Sequence, residues 1–224
     1  ASYATQSHIT DVLFVFGLAG MIIGSLHAIR EKNINRMVAF SSAAQIGYIY
    51  AAIGLGTEAG LAAAVFHMMT HALTKPLLFT AADGLIDAVG NRKDFASLRG
   101  SAHLNRLAGI GFTVGSLSMV GLPAFSGFVS KLLIAEASTN VAGKMLATLI
   151  VLSVSTILNA VYFLHTVITI YTPRTPDLPV YGVMKNRKGL FAVYACFIAA
   201  ILLLGLHPQP VLNILSSGIT LFVK

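Results

Sequence analysis

Residues 121–131 read GLPAFSGFVSK, and they interrupt an otherwise apolar segment, 106–138, RLAGIGFTVGSLSMVGLPAFSGFVSKLLIAEAS. A straight helix over that whole segment would be about 50 Å long at the α-helical rise. The hydrocarbon core of a bilayer is only about 30 Å thick. The segment is therefore long for one straight pass and short for two. Pro123 removes a backbone donor and clashes with the preceding turn. Gly121 and Gly127 weaken helix on either side of it. The expectation is a half-helix, a non-helical link and a second half-helix. Irregular backbone survives at membrane depth only when buried in protein or lining a cavity, and such interruptions mark ion and substrate sites in transporters.

The rest of the chain supports a lipid setting. Its 224 residues are 56% hydrophobic and only 10% charged, with a mean hydropathy of +0.80. Soluble domains carry about 25% charged residues, so an ordinary globular protein and a disordered one are both excluded. Five more apolar stretches are long enough to span as helices: 10–29, 37–55, 59–81, 145–171 and 189–207. Backbone polar groups in lipid must be satisfied within the segment, which makes helices the default. The single cysteine, Cys196, builds neither a disulfide framework nor a cysteine metal site.

Charge decides between one pass and two for 106–138. With one broken pass, the loops 30–36, 83–106 and 172–188 fall on the same side. They hold Arg30, Lys32, Arg36, Arg92, Lys93, Arg99, Arg106, Arg174, Lys185, Arg187 and Lys188, against Lys144 and Lys224 opposite. Positive residues collect on the cytoplasmic side. The expectation is an all-α polytopic bundle of about six transmembrane helices, the fourth discontinuous, in one domain over 1–224, with the basic loops cytoplasmic. TPRTPDLP, from Thr172 to Pro179, reads as a stiff proline-rich link. The net charge of +7 is then an orientation signal. No basic stripe with interleaved aromatics points to nucleic acid. The chain opens at Ala1 with polar ASYATQSH and has no basic leader before its first apolar run. That is not a signal peptide, and it suggests a fragment of a longer protein or a subunit whose neighbour supplies a missing wall.

Two apolar spans carry charge. Lys131 follows the interruption, and a lysine in mid-span costs roughly 2.5–3.5 kcal/mol on insertion scales. An amine sheltered at a wet break is a candidate proton carrier; the alternative is a lysine that snorkels to the interface. In FHMMTHALTKPLLF, residues 66–79, His67, His71 and Lys75 stand at i, i+4 and i+8. They drift only about 80° around the helix and form a ladder about 12 Å long. Imidazole exchanges protons near neutral pH, so the ladder reads as a relay. Pro76 would loosen the hydrogen bonds beside Lys75 and admit water.

Other chemistries fit less well. HMMTH lacks the glutamate of the zinc-protease pattern. Two histidines without a third ligand make a poor metal site, and bis-histidine haem would need His165 to oppose one of them. No cofactor is expected. Glu136 either tunes Lys131 or faces an interface, His27 stands one turn before Arg30, and His165 is a weaker relay candidate. Ser41, Ser42 and Gln45 suit hydrogen bonding between helices. Asp83 and Asp87 read as solvated, and His8, His103 and His207 as wet span ends.

Three stretches carry a resemblance over nearly the whole chain: INRMVAFSSAAQIGY (34–48), HMMTHALTKPLLF (67–79) and GLPAFSGFVSK (121–131). They resemble the antiporter-like membrane subunits, which include the proton-pumping subunits of respiratory complex I (an NADH dehydrogenase), their membrane-bound hydrogenase relatives and the D subunit of Mrp-type cation/proton antiporters. The chain looks like the second inverted five-helix unit of that family plus its last helix. The resemblance implies that Lys131 is the broken-helix lysine of an outlet half-channel, and that His67, His71 and Lys75 belong to a central polar axis. Relatives often carry a lysine where this chain has Asn35, and the first unit, with its own broken helix, is missing from it.

The expected function is translocation of protons, or of sodium against protons, across a bacterial or archaeal inner membrane. The expected partners are other membrane subunits, with any redox chemistry in those partners. The alternative is a structural membrane subunit without transport of its own.

Overall fold

In the computed structural model, which describes residues 2–173 and 188–222, the interruption falls where Gly121 and Pro123 place it. Helix α5 (Arg106–Val120) ends on Gly121, at φ +88°, and α6 (Ser126–Thr139) starts after Phe125. The other elements are α1 (Ser2–Arg30), α2 (Ile34–Gly54), α3 (Glu58–Asp87), α4 (Ser101–Leu104), α7 (Ala142–Tyr171), α8 (Lys188–Leu206) and α9 (Gln209–Phe222). Among the described residues the only β pairing is an isolated bridge between Asn33 and Asp94.

Four helices are long and apolar enough to cross a membrane: His8–Arg30, Ile34–Gly54, Ala142–Tyr171 and Gly189–Leu206. Helix α5 is a shorter apolar helix. The 30 residues of α3 would cross on length, but His67, His71, Lys75 and Asp83 dilute its apolar character. The fold is an all-α polytopic membrane bundle whose fourth pass is α5 and α6 in series.

Hydrogen bonds at the helix ends sort the elements into two faces. On one face, Ile34 N donates to the Lys93 carbonyl (3.0 Å), Asn35 Nδ2 to Asp83 Oδ1 (3.1 Å) and His103 Nε2 to the Tyr171 carbonyl (3.0 Å). The start of α2, the end of α3, α4 and the end of α7 therefore lie together, with the basic residues 30–36 and 92–106. At the other face, Lys144 at the start of α7 pairs with Asp11 of α1 (2.5 Å) and donates to the Gly54 carbonyl that ends α2 (2.7 Å). The basic segment 174–187, with Arg174, Lys185, Arg187 and most of the proline-rich link, lies outside the described residues, as does Lys224.

Side-chain oxygens cap the helices that leave the polar loops. Asn33 accepts from Asn35 N and Arg36 N, Thr57 from Gly60 N, and Asn105 from Ala108 N, each satisfying donors that have no partner inside the helix. Helices α1 and α2 meet through small residues. A Cβ on Gly24 would stand 2.5 Å from Ala44 N, and one on Gly47 2.5 Å from Met21 N. Close approach through small residues is the usual way membrane helices gain packing without a hydrophobic drive between them.

The structure corrects the sequence reading in four places. Helix α3 runs past 81 to Asp87, straight through Pro76. The 83–106 connection contains the short helix α4. Helix α9 follows the expected last span and packs on α3. Gly127 is not a helix breaker: it lies inside α6, where a Cβ would collide with the Ser118 carbonyl of α5.

A buried lysine axis at the broken helix

The last carbonyls of α5 have no partners within their helix. Lys131, one turn into α6, supplies them: its Nζ donates to the Met119 carbonyl (2.9 Å) and the Val120 carbonyl (2.8 Å). The side chain is 8% exposed, so it does not snorkel. Two charge-assisted hydrogen bonds at about 1.5–3 kcal/mol each offset the 2.5–3.5 kcal/mol or so that a lysine costs in mid-span. The negative end of the α5 dipole adds to the attraction. Gly121 makes the approach possible, since its missing Cβ would stand 3.1 Å from Lys131 Cδ.

The Lys131 ammonium also stands 5.5 Å from the centroid of the Tyr48 ring. That ring stacks on His67, with centroids 5.3 Å apart and planes 11° apart. His67 Nδ1 hydrogen-bonds to Ser130, the residue before Lys131. Helices α2, α3 and α6 thus place one imidazole, one phenol and one amine around a single point. A cavity of about 400 Å³ between α6 and α7 is bounded by Gly121, Phe128, Lys131, Leu152 and Thr156 among others.

Lys75, further toward the basic face, is also buried. Its Nζ donates to Ser41 Oγ (2.5 Å) and to the Val38 carbonyl (2.9 Å) of α2, and lies 6.0 Å from the Phe163 ring centroid. His71 lies between His67 and Lys75 in the α3 sequence and is partly exposed. Its Nε2 and the Thr70 hydroxyl oxygen are buried without a hydrogen-bond partner among the described residues. Buried polar atoms of this kind are ordinarily completed by water. No ion pair among the described residues involves Lys131 or Lys75.

Of the residues singled out in the sequence, the structure gathers His67 and Lys131 around Ser130 and the Tyr48 ring, and sets Lys75 against Val38 and Ser41 of α2. The weaker candidates stay outside. Glu136 is exposed. His27 is exposed and stacked on Phe40, with centroids 5.1 Å apart. His165 is exposed and meets the Phe95 ring edge-on at 5.8 Å.

A polar network on α7 escaped the sequence reading. Tyr162 OH donates to Asn159 Oδ1 (2.5 Å), Asn159 Nδ2 to Tyr48 OH (3.3 Å), and Tyr48 OH to Ser155 Oγ (2.9 Å). Ser25 of α1 closes the group at 3.2 Å from Ser155. The signal was present as Ser155, Asn159, Tyr162 and Thr166, spaced three or four apart on one helical face.

Residues 2–159 match the transmembrane family model described as NADH:quinone oxidoreductase/Mrp antiporter. The chain belongs to this antiporter family. Subunit N of the NADH-quinone oxidoreductase of Desulforudis audaxviator is 34% identical over 169 residues, which is 75% of this chain and 33% of that protein. Among solved structures, a chain of the Mrp complex from Dietzia sp. DQ12-45-1b superposes with a TM-score of 0.82 at 25% identity, covering 95% of this chain and 47% of that one. A chain of respiratory complex I from Thermus thermophilus superposes with a TM-score of 0.70 at 25% identity, covering 90% and 44%. The chain thus spans less than half the length of these members of the antiporter family. The family match covers the broken pass and both buried lysines, so the axis lies in the part of the chain that is common to the family.

Proposed function

We propose that this chain is the lysine-bearing second half of an antiporter-like subunit, and that it moves protons, or a cation against protons, across a membrane within a larger assembly of membrane subunits. The host is of the complex I, Mrp or membrane-bound hydrogenase type. One observation carries the reading: a buried amine at a break in a membrane helix, held by two main-chain carbonyls and no carboxylate. Such an amine keeps its hydrogen bonds as a neutral donor after its proton leaves, so it can load and unload without dismantling its site. In this scheme protons reach mid-membrane from the partner half. They pass by water, Lys75, His71 and His67 to Lys131, and leave along α6 toward the face that holds Asp11 and Lys144. Movement of neighbouring charges would drive the lysine between its two states.

The test is proton flux through sealed vesicles that hold the whole assembled complex. Lys131→Gln keeps a donor for one of the two carbonyls and removes the titrating amine. Flux should fall at least tenfold while the complex still assembles. Wild-type flux in an assembled Lys131→Gln complex would mean that the chain is a structural subunit.

A further inference from the structure

The two carbonyls that hold the Lys131 amine accept from it in either charge state. We propose that Tyr48 supplies the preference they lack: the face of its ring stands in for a counter-ion, holding the Lys131 ammonium over the neutral amine, and two polar side chains of α7 hold the ring in place. The inference rests on the transport reading above and assigns a positioning residue to it.

The face of an aromatic ring is the negative pole of its quadrupole. A cation within about 6 Å of the centroid is attracted to it, more strongly when both are out of water. Lys131 Nζ lies 5.5 Å from the Tyr48 centroid, and both residues are buried. An ammonium has three donors, and the Met119 and Val120 carbonyls engage two of them. Loss of the proton leaves one donor for each carbonyl but removes the charge, and with it the attraction to the ring. The carbonyls therefore fix where the amine sits, and the ring favours one of its two forms.

That role requires a ring that stays put, and the hydrogen bonds supply one. Tyr48 OH donates to Ser155 Oγ at 2.9 Å and accepts from Asn159 Nδ2 at 3.3 Å. Both partners belong to α7 and are fully buried. Asn159 Oδ1 accepts in turn from Tyr162 OH, and Ser155 meets Ser25 of α1 at 3.2 Å. The ring is thus tied at its hydroxyl end, while the His67 imidazole lies within 11° of parallel to it at 5.3 Å and limits its tilt. Lys75 repeats the arrangement more loosely, 6.0 Å from the centroid of the Phe163 ring.

The other titratable groups on the elements around Lys131 are engaged elsewhere. His67 of α3 bonds to Ser130, and Lys75 to Ser41. His71 of α3 is partly exposed, and Glu136 of α6 and His165 of α7 are exposed. Lys144 of α7 pairs with Asp11. Tyr194 of α8 packs on Gly111 of α5. Of the elements that pack on α6, α5 brings carbonyls to the amine and α2 brings Tyr48.

The test weakens the ring face at nearly constant shape. In the assembled complex in sealed vesicles, position 48 takes phenylalanine and then mono-, di- and trifluorinated phenylalanine, and proton flux is measured against pH. A ring with a less negative face releases the Lys131 proton at lower pH. The alkaline limb of the profile should therefore move down with each fluorine, by about one pH unit in all, which converts to about 1.4 kcal/mol. Ser155→Ala keeps the native ring and removes an acceptor from its hydroxyl; its limb should move the same way by a smaller step. A limb that stays fixed across the fluorinated series overturns the role of Tyr48, whatever happens to maximal flux. A limb that moves with fluorine but not in Ser155→Ala overturns the part given to α7. Lys131→Gln runs alongside: if it is inactive while the series leaves the limb fixed, only the role of Tyr48 falls, whereas undiminished flux in Lys131→Gln removes the transport reading itself.

Discussion

Gly121 is the residue on which both the break and the lysine depend, and replacing it separates two effects. At φ +88° and ψ 46° it occupies the left-handed region. There its N–H reaches back to the Leu117 and Ser118 carbonyls, and Leu122 N to the Leu117 carbonyl, closing α5. An alanine forced into that conformation costs about 1–2 kcal/mol. Against a total stability of only about 5–15 kcal/mol, that lowers the folded-to-unfolded ratio roughly 5–30-fold. Asparagine tolerates left-handed backbone better, so Gly121→Asn should recover most of the loss. Either side chain, however, brings a Cβ to 3.1 Å from Lys131 Cδ and 3.4 Å from Nζ. The flexible lysine must yield by a few tenths of an ångström, which lengthens its bonds to the Met119 and Val120 carbonyls.

The expected outcome is therefore split. Unfolding midpoints in mixed micelles should rank wild type, then Gly121→Asn, then Gly121→Ala. Proton flux in sealed vesicles should fall severalfold in both variants, without rescue by asparagine. Equal midpoints for the two variants would show that backbone conformation is not what selects glycine. Wild-type flux in both would show that the position of Lys131 is insensitive to its cradle.

Three further outcomes follow from the geometry. Gly47→Ala should destabilise the α1–α2 pair, because its Cβ would meet Met21 N at 2.5 Å, while Gly20→Ala, 3.4 Å from its nearest neighbour, should be neutral or gain from alanine's helix propensity; unfolding of the two variants in parallel checks this. Asp11→Asn should cost under about 1 kcal/mol, as partly exposed ion pairs do. Lys144→Ala should cost more, because Lys144 also bonds the Gly54 carbonyl and lies 5.3 Å from the Phe14 ring; a double-mutant cycle isolates the pair. Ser130→Ala frees His67 Nδ1 and should slow proton flux severalfold with little change in assembly, measured in vesicles beside wild type.

The parts of the fold legible in the sequence were those in which a residue's chemistry is costly in lipid. Pro123 between Gly121 and Gly127 fixed the break, and Lys131, Lys75 and His67 stood out because apolar spans rarely tolerate them. The nature of the contacts was not legible. Gly127 reads as a helix breaker until the Ser118 carbonyl is seen against it, since close approach leaves no mark on composition. Helix α9 was missed because PVLNILSSGITLF is too short and too polar to register as a span, yet it needs only one apolar face to pack on α3. Tyr48, Asn159 and Tyr162 do not stand out in the sequence because no single one is as costly in lipid as a charge. Only the spacing along α7, joined to Tyr48 from α2, shows a network.

The choice of acceptors distinguishes this axis from a structural ion pair. Among the described residues the chain's ion pairs, Arg36–Glu31 and Lys144–Asp11, lie near its polar ends. The two buried lysines are bound instead by carbonyls and a hydroxyl. A buried carboxylate partner would have fixed each amine in its charged form, and removing the proton would have left an unpaired anion at a cost of several kcal/mol. A carbonyl carries no net charge, so the same contact serves ammonium and amine alike. Among the described residues neither lysine is locked in its charged form by an ion pair, as the proposed proton transfer requires.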